Sequence, residues 1–233
     1  RMAESAKPGP AYVPLTFGLG EAFQFDWSTE YAFVSGLRRK LEVAHTKLCA
    51  SRAFWLTAYY GQSHEMLFDA HARAFAAFGG VPRRGIYDNM KTAVDKVGRG
   101  KERDINPRFY AMCGHYLFDP EFCNVASGWE KGRVEKNVQD RRRQIWHHAG
   151  ERRWRDLDEL NAWLGEQCRQ SWIDTANPEW PALTIAELLQ DELLQMFPVP
   201  QLFDGYVEKP VRVTSTALIH FQRNRYSVPA EHA

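Results

Sequence analysis

The sequence predicts an α/β protein in which helices flank a mixed sheet. Three segments near the start have strand character, a helical segment follows, and strands and helices then alternate. In the first strand Phe23, Phe25 and Trp27 alternate with polar residues, which is the period of two that a half-buried strand requires. Residues 53–59 are almost continuously apolar, as in the central strand of a sheet.

Local signals place the remaining elements in order. The first helix can be capped by the side chain of Ser63, and Gly79 and Gly80 end it. Its apolar face includes His71, which we interpret as a histidine at the edge of the core rather than as a ligand. Strands are predicted at about 21–28, 40–49, 52–60, 84–88 and 117–123, and helices at about 63–78, 106–115, 128–147, 156–172 and 184–196.

Three regions of the chain differ in composition. Residues 1–20 are rich in Pro and Gly without periodicity, which predicts an extended lead-in or linker. Residues 21–197 carry the α/β pattern and form one domain, whereas 198–233 show the alternation and turn residues of a β-hairpin. Because the chain begins with Arg1 rather than Met, we expect it to be a piece of a longer protein.

Composition excludes several classes of protein. The 233 residues can form one sizeable core with an appendage. No run of about 18 apolar residues predicts a membrane span, and no secretory signal is recognisable. The cysteines lack CxxC spacing, and no histidine pairs with a cysteine at zinc spacing, so we expect free thiols in a reducing compartment. The cysteines are Cys49, Cys113, Cys123 and Cys168.

The near-neutral net charge of +1 conceals a strong asymmetry. Residues 83–155 contain 17 Lys and Arg against 10 Asp and Glu, a net charge of +7, whereas residues 156–195 contain 1 against 9, a net charge of −8. A basic region of this kind is the electrostatic signature of a surface that faces DNA. An ordinary solvated charged face is the alternative. We expect the acidic region to face away from DNA or to contact a basic partner.

Three carboxylates are candidates for chemistry. Asp26 lies in the middle of a strand, where it needs a salt bridge or a bound cation to compensate for its burial. Asp88 lies at the end of a strand, where open α/β sheets place their ligands, although Asp-Asn is also common in turns. Glu135 lies beside Lys131 and Arg142 at the edge of a helix's apolar stripe; an ordinary Lys131–Glu135 surface pair is the alternative.

Together the three carboxylates meet the needs of a two-metal phosphoryl-transfer site. Mg²⁺ prefers oxygen ligands, and a pair of such ions can activate the attacking oxygen and stabilise the leaving one. Two aspartates on adjacent strands and a glutamate on a helix packed across them can supply those ligands, even though they lie far apart in sequence.

Five blocks of the sequence resemble the DDE transposases and retroviral-type integrases, and most closely the IstA-type transposases of IstA/IstB insertion sequences. Between about residues 12 and 150 they occur in the family's order, at 24–27 (QFDW), 86–94 (IYDNMKTAV), 106–109 (NPRF), 115–118 (HYLF) and 131–135 (KGRVE). The interval of 47 residues from Asp88 to Glu135 exceeds that of typical integrases and indicates an insertion.

The resemblance implies an RNase H-like catalytic core with a five-stranded mixed sheet, followed by the start of a small β-barrel. It implies that Asp26, Asp88 and Glu135 are catalytic residues that bind two Mg²⁺ or Mn²⁺ ions, with Asn89 supporting them. The protein would hydrolyse phosphodiesters at transposon ends and join the 3′-OH to target DNA. We expect DNA phosphates to be bound by Lys91, Arg99, Lys101, Arg103, Lys131, Arg133, Lys136 and Arg142.

The resemblance also implies partners and a location. Family members act on DNA as homo-oligomers with an AAA+ helper ATPase in the bacterial cytoplasm, without a membrane. Two other interpretations of the sequence stay open. One is a different RNase H-like nuclease, which would release free ends without joining strands. The other is a non-catalytic DNA-binding or assembly module that keeps the fold, and a metal titration would distinguish it from an enzyme.

Overall fold

The computed structural model describes residues 16–87, 94–97, 103–122, 135–205, 210–221, 224–229 and 231; for 94–97, 103–105 and 135–141 it describes the backbone alone. The chain divides into two compact units, Arg1–Phe203 and Asp204–Ala233. The predicted boundary near residue 198 lies five residues before the end of the first unit.

The described strands are β1 (Ala22–Val34), β2 (Leu37–Leu48), β3 (Phe54–Tyr59), β4 (Arg84–Tyr87), β5 (Val94–Val97), β6 (Arg103–Ile105), β7 (Asp119–Phe122), β8 (Arg153–Trp154), β9 (Leu218–Phe221) and β10 (Asn224–Ser227). The main sheet has the order β3-β2-β1-β4-β7. Its first three strands are antiparallel, whereas β4 is parallel to β1 and to β7. The predicted five-stranded mixed sheet is therefore confirmed, with the two-residue β8 as an additional strand beside β1.

The described helices are α1 (His64–Phe78), α2 (Pro107–Tyr116), α3 (Glu135–Glu151), α4 (Leu157–Asp174) and α5 (Ile185–Leu193). Polar side chains begin four of them by accepting hydrogen bonds from first-turn N–H groups, as Ser63, Asn106, Asp156 and Thr184 do. These caps explain why the predicted helix starts agree with the structure to within one residue. The segment 128–134, predicted to begin the third helix in the chain, lies outside the described residues.

The first two strands are longer than predicted. β1 continues to Val34, and β2 begins at Leu37, because a two-residue turn joins them. Ser35 and Gly36 both have positive φ, at 51° and 76°, the geometry that tight hairpins favour. The polar character of residues 28–31 hides this part of the strand from a search for apolar periodicity.

A buried aromatic cluster fills the space between the sheet and α1. The ring of Phe23 makes edge contacts with Phe75, Phe118 and Tyr87 at centroid distances of 5.2–5.9 Å. All four side chains are at most 3% exposed. Burial of aromatic side chains of this size dominates the stability of a core, so this cluster fixes β1 and β4 relative to α1.

Helix α4 covers the free edge of β3. Asn161 accepts a hydrogen bond from the Ala58 N–H at 2.7 Å and donates one to the Ala58 carbonyl at 3.1 Å. The indole of Trp172 donates to the Phe54 carbonyl at 3.0 Å. Side chains of one helix therefore satisfy backbone groups that a neighbouring strand would otherwise bind.

Several acids of the 156–195 region have structural partners. Glu192 is fully buried and accepts hydrogen bonds from the backbone N–H groups of Gly20 and Ser51 at 3.2 and 2.9 Å. Glu179 forms an ion pair with the buried Arg52. Asp156 caps α4, and Glu187 completes the capping box of α5. Some of these acidic residues therefore join separate segments of the chain, and others cap the first turns of helices.

The second unit contains the antiparallel pair β9–β10, joined between Phe221 and Asn224. This agrees with the predicted hairpin, and the described residues of 204–233 contain no closed barrel. In the described part of the chain Cys49, Cys113 and Cys168 are free and buried, and burial raises the pKa of the Cys49 and Cys168 thiols to about 12. No helix among the described residues has the length and apolarity that crossing a membrane requires.

Candidate active site

Asp26 lies on β1 at an exposed position, between the buried Phe25 and the half-buried Trp27. Successive side chains of a strand point to opposite faces, so Asp26 lies on the face away from the aromatic cluster. One carboxylate oxygen accepts a hydrogen bond from the Trp27 N–H at 2.9 Å. The strand thus presents this carboxylate at the surface while its neighbour Phe25 anchors the backbone in the core.

The parallel pairing of β1 and β4 leads directly to the second predicted aspartate. The ladder pairs Phe23 with Gly85 and ends with the pair Phe25 and Tyr87. Asp26 and Asp88 are the residues that follow this last pair in the sequence, and Asp88 itself lies outside the described residues. If the same pairing continued by one residue, the two aspartates would lie side by side on adjacent strands.

A single histidine contacts the residues that precede both aspartates. His71 stacks on Phe25 with ring centroids 4.5 Å apart, and its Nε2 lies 2.8 Å from the Tyr87 hydroxyl. Its Nδ1 lies 2.8 Å from the Leu67 carbonyl oxygen, which can accept but not donate. Nδ1 therefore carries the hydrogen, and Nε2 accepts from Tyr87. Burial lowers the pKa of His71 to about 4, which keeps the ring neutral.

The Glu135 helix, α3, packs on the face of the sheet that carries Asp26. The positive charge of Arg142 acts on Glu30, four residues from Asp26 on β1, and opposes the burial that raises the pKa of the Glu30 carboxyl. Near the other end of α3, the Ala149 carbonyl accepts a hydrogen bond from the indole of Trp154, which pairs with the last residue of β1. The helix therefore runs along β1, and its first residues lie toward the end that carries Asp26.

Two side chains near Asp26 were not identified from the sequence. His45 is the cross-strand partner of Asp26 on β2, and Lys47 lies two residues further on the same face. Burial, together with the charges of Arg142 and Lys47, holds the pKa of His45 well below its usual range. Its Nε2 has no hydrogen-bond partner in the described part of the chain. Detecting these neighbours requires the β1–β2 register, which the sequence pattern leaves open.

The other predicted site residues are described in part or not at all. Arg142 is half-buried, and its charge acts toward Glu30 and His45. The side chains of Arg103, Glu135 and Lys136 lie outside the described part, as do Asn89, Lys91, Arg99, Lys101, Lys131 and Arg133 as a whole. Among the described residues no three His, Cys, Asp or Glu side chains are grouped so as to hold a metal ion. Of the three side chains predicted to bind metal, the described residues include that of Asp26 alone.

No family model matches the chain. It is 55% identical over 222 residues to a transposase for insertion sequences IS1326/IS1353 from Pseudomonas aeruginosa, and 56% identical over 222 residues to a transposase from Aminobacter aminovorans. Both alignments cover 95% of this chain and 43% of the relative. The chain belongs to the insertion-sequence transposases. A transposase for IS21 from Pseudomonas aeruginosa is 31% identical over 214 residues, with 88% of this chain and 52% of the relative covered. The resemblance to this family is thereby confirmed, and the chain spans about half the length of these relatives or less.

Solved structures of low sequence identity show the fold of this transposase chain. A chain of the simian T-cell lymphotropic virus intasome, in complex with PP2A regulatory subunit B56 gamma, matches with a TM-score of 0.57 and 13% identity, covering 92% of this chain and 69% of that one. The HTLV-2 integrase catalytic core domain in complex with magnesium matches with a TM-score of 0.51 and 13% identity, covering 73% and 96%. The predicted RNase H-like fold of the integrase type is confirmed.

Proposed function

We propose that this chain is the catalytic core of a DDE transposase and that Asp26, Asp88 and Glu135 are its metal-binding catalytic residues. The β1–β4 register carries the proposal most directly, because its last described pair immediately precedes both aspartates. The course of α3 supports the third member. Glu135 is the first residue of α3, about two turns before Arg142, in the direction of Asp26.

The donor chemistry around Asp26 fits Mg²⁺ or Mn²⁺. An exposed carboxylate held on a rigid strand supplies hard oxygen ligands, and Lys47 and Arg142 provide positive charge on the same face. Two such ions, when bound, would act as Lewis acids on the attacking and leaving oxygens of a phosphodiester. The magnesium in the HTLV-2 structure is bound by that protein, so metal binding by this chain has to be measured by titration.

Each part of the chain has a defined task in this proposal. Asp26 and Asp88 would hold one ion, and Glu135 would help to hold a second. The neutral His71 fixes the backbone before both aspartates, through its contacts with Phe25 and Tyr87. The basic residues Lys91, Arg99, Lys101, Arg103, Lys131, Arg133, Lys136 and Arg142 bind phosphates and orient DNA without reading its bases.

The proposed reaction has two steps. Water first attacks a phosphodiester at a transposon end and breaks its P–O3′ bond, which releases the transposon 3′-OH and leaves a 5′-phosphate on the flanking DNA. The 3′-OH then attacks a phosphodiester of the target DNA, joins to its phosphorus and displaces the target's own 3′-OH, without a covalent enzyme intermediate. We infer that the protein acts as a homo-oligomer on DNA, with an AAA+ helper ATPase, in the bacterial cytoplasm where its DNA substrate lies. The bacterial relatives, which are insertion-sequence transposases, support this part of the proposal.

The substitution Asp26→Asn tests the site. Neighbouring carboxylates repel one another by about 1–4 kcal/mol at 4 Å, so removing one charge should leave the metal-free protein as stable as the parent or more stable. Strand cleavage should be lost. For an ion at ten times its Kd, mass action adds about 1.4 kcal/mol to the parent's unfolding free energy. Thermal melts with and without Mn²⁺ should therefore show a rise in Tm for the parent alone.

Asp158→Asn is the matched control, because Asp158 begins α4 in the acidic region. It should keep cleavage and the response to Mn²⁺. A large loss of stability in Asp26→Asn, combined with a parent that does not respond to metal, would identify Asp26 as a structural salt-bridge residue. Analysis of the products then separates a transposase from another nuclease, because a nuclease releases ends without joining them to a second duplex.

A further inference from the structure

The far end of the β1–β2 hairpin carries a second group of basic residues. Arg38 is the cross-strand partner of Phe33, and Lys40 is the partner of Tyr31. Arg153 of β8 pairs with Phe33 from the other side. Directly paired residues lie on one face of a sheet, so these three cations and two aromatic rings share a face, which we call the hairpin-end patch. It lies on the face opposite to Asp26, since side chains alternate along β1.

The two arginines of the hairpin-end patch are held on aromatic rings. The guanidinium carbon of Arg38 lies 4.8 Å from the centroid of Tyr31, and that of Arg153 lies 4.8 Å from the centroid of Phe33. A stacked guanidinium keeps its N–H donors at the edge available and has less conformational freedom to lose on binding an anion. Both arginines are exposed, and neither forms an ion pair within the described part of the chain.

The backbone beneath the patch is fixed. The Ser35 N–H donates to the Trp154 carbonyl at 2.9 Å, and the Ser35 hydroxyl donates to the Arg155 carbonyl at 2.8 Å. These bonds join the hairpin turn to β8. Arg38 and Arg153 lie on the strands either side of β1, so their backbones are about 9.6 Å apart, twice the spacing between neighbouring strands. Each guanidinium can therefore reach a different phosphate.

Two further arginines lie nearby, on the opposite face of the hairpin: Arg39 pairs with Ala32, and Arg152 contacts Trp154, the partner of Val34. Arg39 is exposed beside Arg38, and Arg152 lies over the rings of Trp154 and Trp163 at 5.6 and 5.3 Å. Among the nearby acids, Glu42 pairs with Lys40 of the patch itself and Asp156 pairs with Arg155, so neither of them pairs with Arg38 or Arg153. The charges of Arg38 and Arg153 are thus available to an external anion on this face.

We propose that the hairpin-end patch binds the phosphate backbone of duplex DNA outside the reacting phosphodiester, an inference that rests on the proposed function. Seven residues of β1 separate Asp26 from Phe33, about 23 Å at 3.3 Å per residue. Because the patch lies on the opposite face, it binds a distal part of the same duplex or a second duplex. Paired guanidinium groups match phosphate geometry, and contacts to phosphates are independent of base sequence.

The test is the double substitution Arg38→Gln/Arg153→Gln, measured by fluorescence anisotropy with a random duplex between 50 and 200 mM salt. Removing one phosphate interaction lowers the magnitude of the slope of log K against log salt by about 0.9. Removing two should therefore lower the ratio of the Kd at 200 mM salt to the Kd at 50 mM salt by about 12-fold. The double substitution Arg38→Lys/Arg153→Lys keeps the charge and should keep most of the slope. Arg169→Gln is the matched control, because Arg169 lies 5.0 Å from the ring of Trp55 in the acidic region, and it should bind like the parent.

Strand cleavage at saturating DNA separates this inference from the proposed function. The glutamine variant should retain metal-dependent cleavage and an unchanged Tm, whereas Asp26→Asn should lose cleavage and keep the parent's salt slope. If the glutamine variant has the parent's affinity and salt slope, the hairpin-end patch does not bind DNA, and the proposed active site is unaffected by that result. Unchanged DNA binding with a loss of self-association in sedimentation would assign the patch to an acidic protein segment instead and likewise overturns the proposal.

Discussion

At the scale of single residues, His71 links the core to the proposed active site. Its ring stacks on the residue before Asp26 and accepts a hydrogen bond from the residue before Asp88. Protonation would make Nε2 a donor, to which the Tyr87 hydroxyl would have to turn as an acceptor, and would place a charge in the aromatic cluster, which is costly in a buried site. The histidine must therefore stay neutral for the two strands to keep their register.

This requirement predicts a pH dependence of stability. The pKa of His71 is about 4 in the folded state, against about 6.5 in the unfolded chain, so the unfolded state binds the proton more tightly. The contribution of His71 to stability should be complete above pH 6.5 and should fall by up to about 3 kcal/mol as the pH drops to 4. Urea unfolding of His71→Gln across this range should show a weaker pH dependence than that of the parent.

The exposed His147 supplies the comparison for that experiment, since it lies at the surface of α3 beside Glu151. His147→Gln should retain the pH profile of the parent. If His71→Gln had the same pH profile as the parent, the acid lability would arise at another group, such as the half-buried His45.

Asp26 is a candidate from the sequence because a carboxylate is unfavourable in an alternating apolar strand; the expected burial was wrong, since Asp26 is exposed, and its catalytic role stays a prediction. Its neighbours could not. His45 and Lys47 become neighbours through the antiparallel register of β1 and β2, and that register is set by the turn at Ser35 and Gly36. His71 was recognised as part of an apolar helix face, but its bond to Tyr87 depends on how α1 packs against β4.

At the scale of the elements, capping residues and helix-ending glycines made the helices predictable from the sequence, whereas strands without apolar alternation were not predicted. β8 has two residues, and its place beside β1 follows from the packing of α3 and α4 rather than from any local periodicity. β4 is short as well, yet a buried Gly85 gives it close contact with the aromatic cluster. Asp88 is the residue that follows β4 in the sequence.

Gly85→Ala should therefore disturb the proposed site from within the sheet. A Cβ at Gly85 would lie 2.6 Å from Phe23 Cζ and 2.7 Å from Tyr87 Cε2, inside van der Waals contact with two buried rings. We expect a loss of about 1–3 kcal/mol in the free energy of unfolding, measured by urea denaturation, together with weaker binding of Mn²⁺.

Gly114 provides the opposite case within α2. A Cβ there meets no atom within 4 Å, so Gly114→Ala should stabilise the protein by about 0.5–1 kcal/mol through helix propensity. If both substitutions changed stability alike, the close packing of β4 would not be the cause of the effect at Gly85.

At the scale of the whole molecule, burial is concentrated in the first unit. The buried side chains of the described residues lie between Ala22 and Glu192, and Phe203 closes this unit against Phe68 at a ring distance of 5.1 Å. The Phe203 N–H also donates to the Tyr116 hydroxyl at 3.3 Å. The sequence predicted a change of structure near residue 198, but the aromatic contact that extends the unit to Phe203 is tertiary.

A chain that ends at Phe203 should fold like the parent. It keeps the main sheet, the helices and the buried aromatic cluster, so we expect its Tm to change by no more than about 2–4 °C, equivalent to about 1 kcal/mol for a domain of this size. A chain that ends at Gln201 also loses Leu202 and the ring of Phe203. Its Tm should fall further, because burying an aromatic side chain is worth about 1.5–3 kcal/mol. Equal melting of the two truncations would refute a role for Phe203 in the first unit.

The Asn161 bonds to β3 bear on how copies of this protein behave beside one another. An unpaired strand edge is a template for joining the sheets of two molecules, and such contacts lead to aggregation. Asn161 occupies both hydrogen-bonding groups of Ala58, so this position of β3 cannot accept a strand from another chain. At the other edge, Pro120 on β7 has no N–H to offer. Copies of this chain that lie side by side can thus keep their sheets separate and contact one another through side chains.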